Sequence, residues 1–185
     1  YGIANIHGRP SVSEAHELLR VALQQGIHTL DTSPTYGTSE SVIGDYIRSA
    51  HPTEITVITK FKCQLTSALS LEKAWLETLS TVKGSLQQLG IPQIPILLYH
   101  KAGNESMEVV QTIVPELLNR LKNEGLIAHG GLSLYYSSEA NDLVNDSRFE
   151  ALQIPMNVLD QAILHNGTLD TLHQNGKLIM IRSVF

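Results

Sequence analysis

Six short runs dominated by aliphatic residues punctuate the chain: HTLDTS (28–33), ITVITKF (55–61), IPILLYH (94–100), HGGLSLY (129–135), ALQIPMN (151–157) and LIMIRSVF (178–185). Most are near-continuously apolar, the pattern of a parallel strand covered on both faces. Between them the apolar positions change to steps of three and four. In the clearest case Leu71, Trp75, Leu79, Val82, Leu86 and Leu89 form one stripe along a helix that Gly90 terminates and Pro92 keeps from resuming. An upstream helix takes Ser11 or Ser13 as its cap, runs through Leu18, Leu19, Ala22 and Leu23, and ends at Gly26. A third has Pro115 in its first turn, where a missing N–H costs nothing, and continues through Leu117, Leu118 and Leu121 to Gly125. An earlier start would make Pro115 a kink. Strand–helix alternation implies right-handed crossovers and a parallel sheet, either open and doubly wound or closed as a (β/α)8 barrel. Periodicity does not choose between the two. No low-complexity linker divides residues 1–185, so a single domain is expected.

Composition narrows the function classes. With 13 basic against 18 acidic residues and no cluster of Lys and Arg, the chain has no phosphate-tracking surface, and nucleic acid is excluded as an expected partner. No apolar run reaches the roughly 20 residues that span a bilayer, so no membrane partner is expected. The lone Cys63 cannot form an internal disulfide, which fits a reducing compartment and a cytoplasmic protein. The histidines show no paired spacing of the metal-binding type, and no metal site is expected. The oligomeric state is not legible.

The chemistry lies where the apolar runs end. Asp31, Lys60, His100, Ser133, Gln153 and the pair Arg182–Ser183 sit towards the C-terminal ends of consecutive candidate strands, and Tyr36 follows Asp31 by five residues. In a parallel barrel those ends converge on one mouth. A Tyr hydroxyl is a poor acid at its free pKa of roughly 10. A neighbouring ammonium favours the phenolate and lowers that value, an Asp holds the ammonium, and a His can orient a carbonyl oxygen or relay a proton. Each residue alone has a plainer reading: Asp31 as a turn residue, Ser39–Glu40 as the start of the next helix, His100 as a satisfied structural histidine. Their coincidence at successive strand ends favours a shared site.

These stretches resemble the aldo-keto reductase family. The resemblance is carried by GIHTLDTSPTYGTSESVIGDYI (26–47), VITKF around Lys60, ILLYH around His100, LKNEGLIAHGGLSLYYS (121–137), ALQIPMNVLD (151–160) and GKLIMIRSVF (176–185), in family order. It implies a (β/α)8 TIM-type barrel, incomplete here at about six βα units. The first strand would precede Tyr1; the eighth strand, the phosphate-gripping loop and the C-terminal substrate loop would follow Phe185. It also implies a nicotinamide cofactor, with NADPH expected ahead of NADH, and a small-molecule aldehyde or ketone as substrate. The implied catalytic tetrad is Asp31, Tyr36, Lys60 and His100, with Tyr36 as proton donor, Lys60 held by Asp31, and His100 positioning the substrate oxygen. The implied cofactor contacts are Ser133 and Gln153 at the carboxamide, Arg182 stacked on the nicotinamide, and Ser183 facing phosphate or ribose. Leu134 stands where the family has an Asn, which removes one amide-recognising side chain.

Two other functions fit parts of the pattern. A nucleotide-binding regulatory member of the same fold family would account for Leu134, and a barrel lyase or isomerase would use Lys60 as a Schiff base. Trp75 in its helical stripe reads as core; Tyr99, Tyr135 and Tyr136 flank strand ends, where they could line the substrate mouth, with packing the plainer reading. Cys63, three residues beyond Lys60, has only Lys60 and Lys62 nearby to draw it towards thiolate, and a catalytic thiol is not expected.

Overall fold

The computed structural model describes residues 8–63, 65 and 70–184. Six strands, β1 (Thr29–Asp31), β2 (Thr56–Phe61), β3 (Ile94–His100), β4 (Ile127–Ser133), β5 (Ala151–Pro155) and β6 (Leu178–Arg182), form one sheet in sequence order. Every neighbouring pair is parallel. With its alternating helices this is an incomplete (β/α)8 barrel, as the resemblance implied.

Helices α1 (Val12–Gln24), α2 (Ser39–Ala50), α3 (Leu71–Leu89) and α4 (Met107–Asn123) follow the four-and-three spacing of their apolar residues. Ser11 caps α1 and settles the choice against Ser13: its backbone N–H donates to Glu14 Oε2 at 2.8 Å, and the Glu14 N–H donates back to Ser11 Oγ at 3.3 Å. Gly90 closes α3 in the left-handed conformation, its N–H donating to the Leu86 carbonyl. Pro115 differs from expectation, because α4 begins at Met107 and Pro115 lies inside it. Val110 and Val114 upstream of the proline are fully buried, and that burial outweighs the backbone hydrogen bond the proline cannot make. The connections around β5 also depart from long amphipathic helices: a 3₁₀ segment (Ser137–Leu143) precedes it, and two short helices, α5 (Ala162–His165) and α6 (Thr168–Gln174), follow.

The main core lies between the sheet and its helices, where Phe61, Val82, Leu97, Tyr99, Leu117, Leu132 and Phe149 pack together. A smaller cluster of Ile58, Leu98 and Ala151, joined by Ile96 and Met180, covers the other face. Side chains alternate across a strand, so this second face continues two residues further along each strand. Ile58 leads to Lys60, Leu98 to His100, Gly131 to Ser133, Ala151 to Gln153 and Met180 to Arg182. Gly131 is required on it, because an added Cβ would fall 1.7 Å from the Ala151 carbonyl oxygen. Register aligns the row, pairing His100 with Ser133 and Ser133 with Gln153.

Candidate active site

The inner face thus ends in a belt of polar residues at the C-terminal strand ends, and Tyr36 reaches it from the loop after β1. That loop is folded locally. The Tyr36 N–H donates to the Ser33 carbonyl at 2.9 Å, the Ser39 N–H donates to the Tyr36 carbonyl at 3.2 Å, and the Thr32 hydroxyl donates to Ser39 Oγ at 2.8 Å. Ser39 then opens α2, as its position before an apolar helical run predicts. Glu40 does more than start the helix. Its buried carboxylate accepts the Thr59 hydroxyl at 2.6 Å, which braces β2 one residue before Lys60.

Lys60 is the centre of the site. Its side chain is 1% exposed, and Nζ donates to Asp31 Oδ1 at 2.6 Å and to the Thr32 carbonyl at 3.0 Å. The same nitrogen lies 5.2 Å from the centroid of the Tyr36 ring. The His100 ring stands edge-on to Tyr36, with centroids 6.4 Å apart. The four residues of the expected tetrad therefore meet around one phenol.

The electrostatics correct one expectation. Tyr36 is held above its ordinary value, first by burial and then by the Asp31 carboxylate, with Arg182 opposing. Burial and the Asp31 carboxylate prevail over the Lys60 ammonium, which lies over the ring face and is paired to Asp31. Burial lowers Lys60, and Asp31 pulls it back. Burial also pushes His100 down, and the cations Lys60, Lys62 and Arg182 push the same way. The chemical state that follows near neutrality is a protonated phenol beside a neutral imidazole.

Ser133 and Gln153 lie buried side by side, with Ser133 Oγ donating to Gln153 Oε1 at 2.8 Å. Among the described residues the Gln153 amide nitrogen has no hydrogen-bond partner, and Ser133 Oγ keeps its lone pairs. A carboxamide needs one donor for its oxygen and one acceptor for its nitrogen, and this pair offers both. The residues fit the amide of a nicotinamide. Leu134 packs with the outer core and offers the site only its backbone carbonyl, which accepts from Arg182 Nη2 at 2.7 Å. Arg182 Nη1 donates to Ser183 Oγ at 2.9 Å, and Ser183 has a left-handed φ of 55°.

Of the neighbouring residues, only Tyr135 and Tyr136 depart from a packing role. Tyr99 is buried, as a packing residue should be, and its hydroxyl donates to Glu105 Oε1 at 2.7 Å with the Cys63 carbonyl 3.2 Å away. Tyr135 and Tyr136 are instead exposed, stacked edge to face at 4.8 Å. Trp75 packs against the core, with the Arg120 guanidinium 5.7 Å from its ring. Burial raises the Cys63 thiol to about 11. Sequence reasoning missed Glu40 as a brace for β2, and it missed Lys101, whose side chain is buried against Glu139. The available signal for Lys101 was a charged residue directly after His100 with no other reason to be there.

Known proteins resemble this chain in sequence and in fold. The model of the Aldo/keto reductase family matches residues 1–185. The NADH-specific methylglyoxal reductase of Escherichia coli (strain K12) is 28% identical over 178 residues, covering 85% of this chain and 52% of that protein. A crystal structure of a Pseudomonas aeruginosa protein assigned to the aldo-keto reductases superposes with a TM-score of 0.79 at 25% identity, covering 98% of this chain and 67% of that one. An aldo/keto reductase from Klebsiella pneumoniae, solved with NADP and acetate, gives a TM-score of 0.70 at 19% identity over 92% of this chain and 58% of its own. The chain spans about half the length of the curated relative it matches.

Proposed function

The chain belongs to the aldo/keto reductase family, and from that premise we propose that the protein reduces an aldehyde or ketone to an alcohol at the expense of NADPH or NADH, with Tyr36 as the proton donor. The observation that carries the reading is the Lys60–Asp31 pair at 2.6 Å beneath the Tyr36 ring, with His100 on its edge.

The residues divide the work. Ser133 and Gln153 hold the nicotinamide carboxamide, and Arg182 and Ser183 flank the ring and the ribose or phosphate. When bound, the dinucleotide supplies the hydride that reaches the carbonyl carbon. Neutral His100 donates a hydrogen bond to the carbonyl oxygen and fixes its direction. Tyr36, kept protonated by burial and by Asp31, gives its proton to that oxygen as negative charge develops there. Lys60 adds positive potential beside the developing alkoxide, and Asp31 keeps the ammonium in place.

NADPH was expected ahead of NADH. The Klebsiella structure holds NADP, whereas the more similar Escherichia coli relative is NADH-specific, so both nucleotides belong in the assay. Residues 1–185 as one barrel domain and a cytoplasmic location are part of the same reading; among the described residues no helix is long and apolar enough to cross a membrane.

The test is oxidation of NADPH and of NADH by the full-length protein against a panel of aldehydes and ketones, with Tyr36→Phe alongside. We expect turnover with at least one carbonyl and a fall in kcat/KM of about 10²- to 10⁴-fold in the variant. Tight dinucleotide binding without turnover would favour a regulatory role instead. Borohydride trapping of substrate on Lys60 would point to Schiff-base chemistry.

A further inference from the structure

Lys101 follows His100 directly, yet its side chain turns away from solvent and is 1% exposed. Nζ contacts Glu139 Oε1 at 2.6 Å and donates to the Ala102 carbonyl at 3.0 Å. The other oxygen of Glu139 accepts the backbone N–H groups of Tyr135 and Tyr136 at 2.9 and 3.0 Å. The Lys101 backbone N–H donates to the Ser133 carbonyl, and His100 and Ser133 are register partners. One ion pair therefore joins the segment leaving β3 just after His100 to the segment leaving β4 just after Ser133 and Leu134. The connection runs on through the Leu134 carbonyl to Arg182 at the end of β6.

We propose that the Lys101–Glu139 pair is a positioning clamp that sets the distance between His100, which orients the substrate carbonyl, and the Ser133–Gln153 pair, which holds the nicotinamide. The proposal rests on the reductase reading for the meaning of that distance, but the clamp itself is a geometric feature. Hydride transfer tolerates little error in the approach of its two partners, and a misplacement of about 1 Å can cost on the order of 10²-fold in rate. Loops after parallel strands would otherwise be the least constrained part of the mouth. A pair with its ammonium buried answers that need: separating it strands the Lys101 charge, so the two segments move together or not at all. Neither residue touches the tetrad side chains through its own side chain, so both are positioning residues and neither is catalytic.

The experiment compares Lys101→Met, which keeps the length of the stem and removes the charge, with Glu139→Asp, which keeps the charge and shortens the reach by one methylene, and with Lys101→Arg. Three readings are taken on the full-length protein: kcat and KM for a reduced carbonyl, dinucleotide affinity by fluorescence, and amide hydrogen exchange at Tyr135 and Tyr136 with the NMR signals of the His100 ring. For Lys101→Met and Glu139→Asp we expect kcat to fall about 10- to 100-fold, dinucleotide affinity to stay within about threefold, exchange at both amides to quicken at least tenfold, and the His100 signals to shift. Lys101→Arg is expected to restore most of kcat. Unchanged kcat with only a lower Tm would overturn the clamp and leave a plain structural anchor. Should Lys101→Met fail to fold, Glu139→Asp decides alone. If the wild type reduces no carbonyl with either dinucleotide, the reductase reading fails separately; the clamp then stands or falls on whether the His100 signals and the two amides respond to Glu139→Asp.

Discussion

Lys60 and Lys177 are two buried lysines at opposite ends of the barrel strands. Both are shifted below the ordinary lysine value mainly by burial. Lys60 ends the inner face of β2 at the C-terminal mouth, while Lys177 sits just before β6 at the other end. Their partners differ in kind. Lys60 is paired to a carboxylate that remains 41% exposed and lies against a phenol. Lys177 donates to the backbone carbonyls of Asp146 and Phe149, the latter at 2.6 Å, and ties down the turn that leads into β5. Burial alone marks neither as functional. The distinguishing feature is what the ammonium faces: a phenol with a proton to give at one end, and at the other peptide oxygens with the Asp146 and Glu150 carboxylates near them.

Swapping each lysine for methionine breaks the comparison most directly. Lys60→Met should lower kcat/KM for carbonyl reduction by about 10²- to 10³-fold, the loss typical of one electrostatic donor at a developing oxyanion. Its Tm should fall less than in Lys177→Met, because the exposed side of Asp31 is already hydrated and only one buried carbonyl, that of Thr32, loses its charged donor. Lys177→Met should do the reverse. Two buried carbonyls lose a charged donor, at a cost of about 2 kcal/mol in unfolding free energy, while the kinetics of the folded fraction remain those of the wild type. Denaturant titration alongside steady-state kinetics checks both. Equal effects of the two substitutions on stability and on rate would erase the distinction.

The comparison also explains what the sequence made legible. β2, β3, β5 and β6 announced themselves because parallel strands buried on both faces need uninterrupted aliphatic runs, and the polar residue that ends each run, Lys60, His100, Gln153 or Arg182, stands out against them. Tyr36 was legible through its fixed distance from Asp31. β1 was expected over 28–33 and covers only Thr29–Asp31, although the Thr32 N–H still donates to the Ile58 carbonyl, because the chain turns away to bring Tyr36 back. Pro115 misled because proline rules describe an isolated helix, whereas Val110 and Val114 anchor the upstream turns of α4 in the core. The Tyr36 shift was misjudged because charge order along the chain says nothing about which face of the ring an ammonium meets. Lys101 and Glu139 escaped because their partnership spans 38 residues of chain, joins two loops, and leaves no periodic trace.

A smaller effect sharpens the contrast at the level of one imidazole. His100 is held below the ordinary histidine value of about 6.5 by burial and by the cations Lys60, Lys62 and Arg182. A nearby cation disfavours the protonated ring, so removing Lys60 stabilises that form, and Asp31, left unpaired, stabilises it further. The NMR titration midpoint of His100 should therefore lie below 6.5 in the wild type and rise in Lys60→Met. In Lys177→Met it should stay where it is. A midpoint that moved with Lys177, or did not move with Lys60, would mean that the two lysines do not project their fields as their positions indicate.

The smallest effect is expected at Cys63, three residues beyond Lys60 and near the same strand end. Proximity to Lys60 and Lys62 suggests a thiol drawn towards thiolate, but Cys63 is buried in the outer core with Phe61 and Tyr99, and burial raises it to about 11. At pH 8 about one thiol in a thousand is then ionised, and the sulfur is covered as well. A thiol reagent such as dithionitrobenzoate should leave the native protein unlabelled over the time of an assay and react stoichiometrically once it is unfolded. Lys60→Met should not alter the native rate. Rapid native labelling that slows on removal of Lys60 would place Cys63 within the field of Lys60, and the division between the inner polar-ended face and the outer packed face would have to be drawn elsewhere.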